Sequence, residues 1–309
     1  GIGADSISAL ERHGVRVVGI GDELRGHRLG ITMVQPGHLH DGVAAPTGAT
    51  EHSIVEPPGS SIIAVWGPHG APGRSVIAVT LAAILARRAS RVALVDADPR
   101  GGAVAQLLGL LDDVSGLAAA CRSADRGDSA DILDHTVAVG PGLRVLTGVP
   151  RADMWPQVRR VPFELVLQHL AGACDHVIVD TGPSLDDHTR LLLDAASQVI
   201  VVGRADPVGL ARLVRAMHEL GEMPCAADKI VVVNQLRSSS TWSARDINGA
   251  LERLAGVTPD EVLAADYRTL DMAALRGLSP LQAAPGSPFV EGVGRIAQSL
   301  ERAAALARS

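Results

Sequence analysis

The sequence predicts a three-layer α/β fold, in which helices cover both faces of a doubly wound, mainly parallel β-sheet. From residue 61 onward, short apolar segments bounded by Gly or Asp alternate with helical patterns, as right-handed crossovers between parallel strands require. Hydrophobic residues make up 47 % of the chain but aromatic residues only 2 %. The core must therefore consist of the Val, Leu, Ile and Ala that fill sheets covered on both faces.

The 309 residues predict one large domain preceded by a short extension. Residues 1–36 contain a helix candidate, Ser6 to His13, and two strand-like segments, VRVVGIG and ITMVQP. This extension is too short for a complete receiver-like domain, and one interpretation is a remnant of such a domain. Residues 37–60 are rich in Gly, Pro, Ser and Thr without periodicity, which predicts a linker. The α/β domain then occupies residues 61–309.

Six strands are predicted in this domain. They are SIIAVWG (61–67), RVALVDAD (91–98), LRVLTG (143–148), DHVIVDTG (175–182), QVIVVGRAD (198–206) and KIVVVNQL (229–236). A helix is predicted from Ser75 to Arg88, since this segment is apolar over most of its surface and follows a Gly-rich turn. A second helix is predicted where a Gly-Gly pair opens into AVAQLLGLL.

The segment between the first strand and the first helix predicts a phosphate-binding loop. It comprises residues 67–75, GPHGAPGRS. In such a loop, backbone N–H groups point inward and the helix N-terminus adds partial positive charge. Gly70 and Gly73 allow the backbone to approach phosphates closely, and Ser75 stands where the hydroxyl group of a P-loop binds Mg²⁺. A tight strand-to-helix turn without a ligand is the alternative for the loop alone.

The loop departs from the plain pattern GxxxxGK[ST] at both ends. Pro68 occupies the first Gly position and Arg74 the Lys position, and Pro72 has no N–H group to donate. Arginine keeps the positive charge but is planar and bulkier than a compact ammonium group. These departures predict a weakened nucleotide site.

Polar residues also end three further strands, at the sheet edge where open α/β folds bind ligands. Asp96 and Asp98 end the second strand, Asp180 ends HVIV, and Asn234 closes KIVVV. Asp180 stands where a Walker-B aspartate binds Mg²⁺ through water. As alternatives, Asp96 and Asp98 cap the helix that starts near Gly101, and Asn234 is a turn residue.

The motifs HGAPGRS, VALVDADPRGG, HVIVDTGPS and VVVNQL, in this order, resemble those of the MinD/ParA family of deviant Walker-A ATPases. The similarity is greatest to its divergent septum-site and pilus-assembly (CpaE-like) members, and it extends over roughly residues 61–306. The resemblance implies a single P-loop NTPase domain that binds ATP and Mg²⁺, forms a homodimer with nucleotide between the subunits, and separates after hydrolysis. It also implies a role in spatial organisation, either division-site placement or pilus or secretion assembly, with an unidentified protein partner.

The resemblance assigns roles to individual residues. The loop residues that it implies for nucleotide binding are Gly70, Ala71, Gly73, Arg74, Ser75 and Val76. It also implies that Asn234 faces the adenine edge and that Asp206 and Pro207 lie near the nucleotide and the partner subunit. As Mg²⁺ ligands it implies Ser75, Asp96 and Asp180. As catalytic residues it implies Asp98, Arg74 and Asp180, with Asp98 associated with the attacking water.

Both lysines of the family motif Lys-Gly-Gly-x-Gly-Lys-Thr are absent from this chain. His69 and Arg74 stand in their places. The first lysine reaches across the dimer to the phosphates of the other subunit, whereas histidine is shorter and only partly charged near neutral pH. A cation acting across a dimer contributes about 10³- to 10⁵-fold in rate. ATP hydrolysis is therefore expected to be slow, and its occurrence stays open.

Two other functions remain open from the sequence. The first is a pseudo-ATPase scaffold that binds nucleotide weakly or not at all, which the two lost lysines and Pro72 favour. The second is an NAD-binding Rossmann protein, since residues 67–73 are glycine-rich and Asp96 ends the second strand where a ribose-binding acid would stand. Against it, the GxGxxG spacing is not met, and Tyr267 is not followed by a Lys four residues later.

Charge and hydropathy limit the partners and location. A net charge of −6 gives no strong case for a nucleic-acid partner. No apolar run reaches 18 residues, and the N-terminus lacks a basic segment followed by an apolar core, which argues against transmembrane and secretory segments. We expect a cytoplasmic protein, with peripheral contact at the inner face of the cell membrane left open.

The final segment, FVEGVGRIAQSLERAAALARS, predicts a docked helix. Its apolar stripe contains Phe289, Val293, Ile296, Leu300 and Ala304. Relatives on membranes use an amphipathic helix beyond the last domain helix, and nothing follows Ser309 in this sequence. Membrane anchoring through this end is therefore not supported.

Overall fold

A computed structural model describes residues 18–19, 32–33, 60–70, 73–88, 90–100, 102–110, 114–223, 225 and 227–306. The chain divides into two compact units, Gly1–Ser53 and Ile54–Ser309. In the first unit, β1 (Val18–Gly19) pairs in parallel with β2 (Thr32–Met33), within the two strand-like segments of the extension. The helix candidate Ser6 to His13 and the linker before Ser60 lie outside the described residues, and the predicted domain boundaries stay predictions.

Eight strands among the described residues of the second unit form one sheet. They are β3 (Ser61–Trp66), β4 (Val92–Ala97), β5 (Val137–Gly140), β6 (Leu143–Leu146), β7 (His176–Thr181), β8 (Gln198–Arg204), β9 (Asp228–Leu236) and β10 (Glu261–Ala264). The strand order is β10-β9-β8-β3-β7-β4-β6-β5, and all neighbours are parallel except β5 and β6. The predicted doubly wound, mainly parallel fold is confirmed.

The six predicted strands are all present, but the sequence analysis missed β5 and β10. Each of the two has only four residues, and β5 alternates between half-buried and exposed positions. The apolar run within each strand is short, VAVG in β5 and VLA in β10, at or below the lower limit of the roughly four- to eight-residue runs by which a strand buried on both faces is recognised.

Helices pack on both faces of the sheet. They are α1 (Arg74–Arg87), α2 (Val104–Leu107), α3 (Gly116–Arg126), α4 (Arg160–Ala173), α5 (Asp187–Ala195), α6 (Pro207–Glu222), α7 (Ala244–Ala255), α8 (Tyr267–Arg276), α9 (Pro280–Ala283) and α10 (Pro288–Leu306), with 3₁₀ turns at Ser129–His135 and Ala152–Gln157. Helices α1, α2, α9 and α10 share one hydrophobic core with the strands, and α3 to α7 share the other. Strand β3 serves both cores, because alternate side chains such as Ile62 and Ile63 point to opposite faces.

The last helix docks on the domain as predicted. Phe289, Val293, Ile296 and Leu300 are each at most 2 % exposed, and α10 packs against α1 and β10. The side chain of Ala304 lies outside the described residues. Within the part of the chain that the structure describes, no helix combines the length and the apolar character needed to cross a membrane.

Candidate functional site

The strand order brings the candidate residues to one edge of the sheet. Strand β3, which leads into the loop, lies between β7 and β8, and β4 lies on the far side of β7. Asp96 of β4 and Asp180 of β7 are direct register partners, and Val65 of β3 is paired with Asp180 on its other side. The carboxyl ends of β3, β4 and β7 therefore form one crevice, where open α/β sheets bind ligands.

The loop ends at an uncapped helix. Gly70 and Gly73 have φ values of +76° and +97°, a left-handed conformation that glycine adopts without strain. Gly73 is the N-cap of α1. No described side chain accepts a hydrogen bond from the first N–H groups of this helix, and its first turn contains no acidic residue. By contrast, side chains cap α3 and α5 to α9, namely Ser115, Asp186, Asp206, Ser243, Asp266 and Ser279.

The free amide groups of α1 are suited to an anion, because the partial positive charge of the helix end is left uncompensated. Ser75 and Val76 lie half-buried in the first turn of this helix. Ala71 and Pro72 lie outside the described residues.

Asp180 is a buried carboxylate near the end of β7. It is 1 % exposed, and neither oxygen has a hydrogen-bond partner among the described residues. Burial and then the negative charge of Asp96 raise the pKa of Asp180 well above its usual value. The Ser75 hydroxyl and the Arg74 guanidinium act in the opposite direction, although the Ser75 contact falls short of hydrogen-bond geometry. An unpaired buried carboxylate is costly, so a cation at this position would stabilise it.

Asp96 is buried as well, but it accepts two backbone hydrogen bonds. Its Oδ1 accepts from the N–H group of Asp98 at 3.3 Å, and its Oδ2 accepts from that of Val104, the first residue of α2, at 3.2 Å. Desolvation raises the pKa of Asp96 to about 6, more than these bonds lower it. The structure thus places Asp96 in the helix-capping arrangement that was the alternative in the sequence, and its role as a Mg²⁺ ligand stays a prediction.

Arg74 is folded back over the start of the loop. Its Nη1 donates to the carbonyl oxygen of Gly67 at 2.7 Å, and its Nη2 lies 3.4 Å from Oδ2 of Asp98. The two side chains are 14 % and 6 % exposed. Oδ1 of Asp98 accepts from the N–H group of Arg100 at 3.0 Å. Arg74 therefore orients Asp98 and is not turned toward solvent.

Asn234 lies against the N-cap of α1. It is 2 % exposed, its Oδ1 accepts from the N–H group of Gln235 at 2.8 Å, and a Cβ on Gly73 would overlap its Nδ2. Gln235 has φ of +64°, the single positive value for a non-glycine residue within the described ranges. Such backbone conformations are uncommon and concentrate near functional sites.

Asp206 and Pro207 form the start of α6. Oδ1 of Asp206 accepts from the N–H group of Gly209 at 2.8 Å, and Oδ2 lies 2.6 Å from Nε of Arg204. Pro207 is the first residue of the helix, where its missing N–H group is not needed. These residues have a structural role in this chain, and the implied contact with nucleotide or partner stays a prediction.

The family described as AAA domain matches residues 60–231, more than half of the sequence. The chain belongs to this family. The chain is also similar to two curated proteins. The chromosome partitioning protein ParA of Myxococcus xanthus (strain DK1622) is 29 % identical to it over 163 residues, which are 52 % of this chain and 57 % of that protein. The tyrosine-protein kinase ptk of Acinetobacter johnsonii is 30 % identical over 185 residues, 59 % of this chain and 25 % of the kinase. The chain thus spans between a quarter and just over half of the length of these relatives.

Several solved structures share this fold, and they superpose on more than three quarters of the chain. A ParA family ATPase from Chlorobium tepidum TLS has a TM-score of 0.70 and 19 % identity, covering 77 % of this chain and 98 % of that one. The septum site-determining protein MinD complexed with Mg-ADP from Pyrococcus horikoshii OT3 has a TM-score of 0.65 and 19 % identity, covering 80 % and 98 %. The MinC:MinD cell division protein complex of Aquifex aeolicus has a TM-score of 0.61 and 15 % identity, covering 78 % and 96 %. The predicted resemblance to the MinD/ParA family and its P-loop NTPase fold are confirmed.

The described residues contain no group of three or more His, Cys, Asp or Glu side chains arranged to hold a metal ion by themselves. Mg²⁺ does not depend on such a group, because one or two carboxylates bind it together with waters and substrate phosphates. The roles of Ser75 and Asp180 as Mg²⁺ ligands stay predictions.

One residue at the site was missed by the sequence analysis. Arg212 of α6 donates from Nη1 to the carbonyl oxygen of His69 at 3.0 Å and lies against Gly70. Nothing in the sequence marks it, because it is one of two arginines on an amphipathic helix. Only the packing of α6 beside the loop brings it to the site.

Proposed function

We propose that this chain binds ATP with Mg²⁺ at the carboxyl ends of β3, β4 and β7 and is a slow ATPase of the MinD/ParA type. The observation that carries the proposal is the unpaired, buried carboxylate of Asp180 beside the uncapped N-terminus of α1. The free amide groups suit a phosphate, and the neighbouring carboxylate suits Mg²⁺. Together they fit a magnesium–phosphate pair better than an anion or a cation alone.

The residues present would share the binding of the nucleotide. The backbone around Gly70 and Gly73 and the first turn of α1 would bind the phosphates. Ser75 and Asp180 would hold Mg²⁺, which when bound neutralises phosphate charge and orients the triphosphate. Asn234, which lies over Gly73, would contact the base, and a small movement of its amide away from the loop would accompany binding.

Slow hydrolysis follows from two features of the chain. His69 replaces the lysine that reaches across the dimer in the family, and Asp98 is engaged by Arg74 and by the amide of Arg100. Orientation of an attacking water by Asp98 would therefore compete with its existing partners. We further propose nucleotide-dependent homodimerisation and a role in spatial organisation. The similarity to a MinC:MinD cell division protein complex and to a chromosome partitioning protein ParA supports the second of these.

Calorimetric titration with Mg-ATP and Mg-ADP, with and without EDTA, tests the nucleotide site. We expect binding of both nucleotides, weaker in EDTA and weaker in Ser75→Ala. Absence of heat with Mg-ATP at millimolar concentrations would contradict the proposed function. NAD titrated in parallel is expected to give no saturable binding.

A pseudo-ATPase scaffold is the second candidate, because Asp98, which the resemblance implies for catalysis, is already paired with Arg74. Phosphate release by the parent chain, compared with Ser75→Ala and Asp180→Ala, separates the two candidates. Release that falls in both variants supports the ATPase. Release equal in all three proteins, with nucleotide still bound by the parent, supports the scaffold.

A further inference from the structure

Helix α6 carries an arginine that lies across the phosphate loop of its own chain. Arg212 is hydrogen-bonded through Nη1 to the backbone carbonyl of His69, although 143 residues separate the two in sequence. A Cβ on Gly70 would overlap this guanidinium. The cation is therefore in direct contact with the part of the loop where Gly70 has a left-handed backbone.

The guanidinium of Arg212 is available for an anionic ligand. Its side chain is exposed, and it forms no ion pair with a carboxylate in the described part of the chain. Nearby Arg204, by contrast, is paired with Asp206. One N–H group of Arg212 bonds to His69, which leaves further donors of the planar fork that binds phosphate oxygens.

We propose that Arg212 is a phosphate-binding residue, and that it contacts the terminal phosphates of the nucleotide bound to its own chain. The inference rests on the nucleotide site proposed above. Arg212 would add from α6 a positive charge beside the loop and act on the nucleotide of its own chain, whereas the first lysine of the family motif, whose position His69 occupies here, reaches across the dimer.

Matched variants on one helix test the role of Arg212. Arg215 is the control, because it is exposed on α6 and, among the described residues, bonds only to the Ala211 carbonyl of its own helix. Mg-ATP and Mg-ADP are titrated by calorimetry into the parent chain, Arg212→Ala, Arg212→Lys and Arg215→Ala, at protein concentrations at which light scattering shows monomers. We expect the Kd for Mg-ATP to rise about 10- to 100-fold in Arg212→Ala, as loss of a charged hydrogen bond does, and less than about twofold in Arg215→Ala.

A salt series provides a readout that a merely structural contact would not change. The affinity of the parent chain for Mg-ATP should fall more steeply with NaCl than that of Arg212→Ala, since the variant has one charge contact fewer to screen. Arg212→Lys should recover part of the affinity and the steeper salt dependence. Thermal unfolding without nucleotide is expected to be equal in all four proteins, because Arg212 bonds at the surface.

The outcomes separate this inference from the proposed function. If the parent chain binds no Mg-ATP, both fail. If the parent chain binds but Arg212→Ala binds within twofold of it, or if both alanine variants weaken equally, Arg212 has no phosphate contact and the nucleotide site still stands. A loss seen only at concentrations where the protein dimerises would place Arg212 on the partner's nucleotide and overturn the contact within one chain.

Discussion

Asp180 differs from the other two aspartates of the site in what surrounds its charge. Asp96 and Asp98 accept backbone N–H groups, which stabilise an ionised carboxylate, whereas no donor reaches Asp180 in the described structure. Its ionised form is therefore the least stabilised of the three and gains most from a bound cation. At the residue scale, the buried carboxylate of Asp180 therefore lowers the stability of the folded chain, a cost that functional sites commonly carry.

The pH dependence of stability follows from the raised pKa of Asp180. Between the ordinary pKa of an unfolded aspartate and the raised pKa of the folded state, the folded chain binds more protons, so the free energy of unfolding falls as pH rises through this window. The variant Asp180→Asn has no ionisable group at this position, so its free energy of unfolding does not fall in this way. We expect the variant, without nucleotide or Mg²⁺, to unfold about 3–6 °C above the parent at pH 8 and by a smaller margin at pH 5.

Thermal unfolding at the two pH values measures this difference. The exposed Asp271→Asn on α8 is the control and should match the parent at both. A variant Asp180→Asn that is no more stable than the parent at pH 8 would show that the carboxylate is not strained in the folded chain.

Gly73 combines two constraints that can be separated by substitution. Alanine at this position must adopt φ of +97° and overlap Asn234, whereas alanine at Gly127 must adopt φ of +82° with open space around its Cβ. We expect Gly127→Ala to lower the free energy of unfolding by about 1 kcal/mol and Gly73→Ala by about 2–3 kcal/mol. Urea unfolding checks both, and equal losses would mean that Asn234 moves away at no cost.

At the element scale, the apolar stripe of α10 packs on the domain. Its apolar stripe is buried against α1 and β10, so these side chains are not available for a membrane surface. Because α1 also carries the loop at its N-terminus, α10 supports the helix on which the candidate site is built.

Truncation of the α10 stripe should destabilise the domain. Phe289 is fully buried, and Phe289→Ala is expected to lower the free energy of unfolding by about 3–5 kcal/mol, measured by urea denaturation. The matched control is Gln298→Ala, an exposed position of the same helix, with an expected change within about 0.5 kcal/mol. Similar small changes in both variants would contradict the docking of α10.

At the scale of the whole molecule, the proposed dimer needs a surface beside the nucleotide. Val208 follows Pro207 at the start of α6 and is 62 % exposed, next to the loop that the resemblance places near the partner subunit. An exposed apolar side chain at this position suits contact with a second copy of the chain.

Val208→Asp is expected to lower Mg-ATP-dependent dimerisation at least tenfold in Kd, since it would bury a charge, while Mg-ATP binding by the monomer stays within about twofold. Light scattering and calorimetry on the same samples measure the two effects. Leu254→Asp on α7 is the control, because Leu254 is 58 % exposed but lies on another helix. Equal dimerisation in both variants and the parent would place the interface elsewhere.

The fold could be predicted further than the site. Strands β3, β7 and β8 each contain an uninterrupted apolar run, IIAVW, VIV and VIVVG, because both of their faces are covered, and such runs are recognisable from residue types alone. The four-residue strands β5 and β10 were not, because half-exposed edge positions place few demands on residue type. The polar residues at the strand ends were found as a set, yet Asp96 proved to bond to α2 and Arg74 to Asp98.

The sequence by itself determined the alternation of strands and helices, the position of the Gly-rich loop and the family that the chain resembles, since these depend on residue type and local spacing. Only the tertiary structure decided which polar groups are paired, that Asp180 is buried without a donor among the described residues, and that Arg212 reaches the loop. The reason is physical: pairing and desolvation depend on which distant segments pack together, and the contact between Arg212 and His69 spans 143 residues that no local pattern connects.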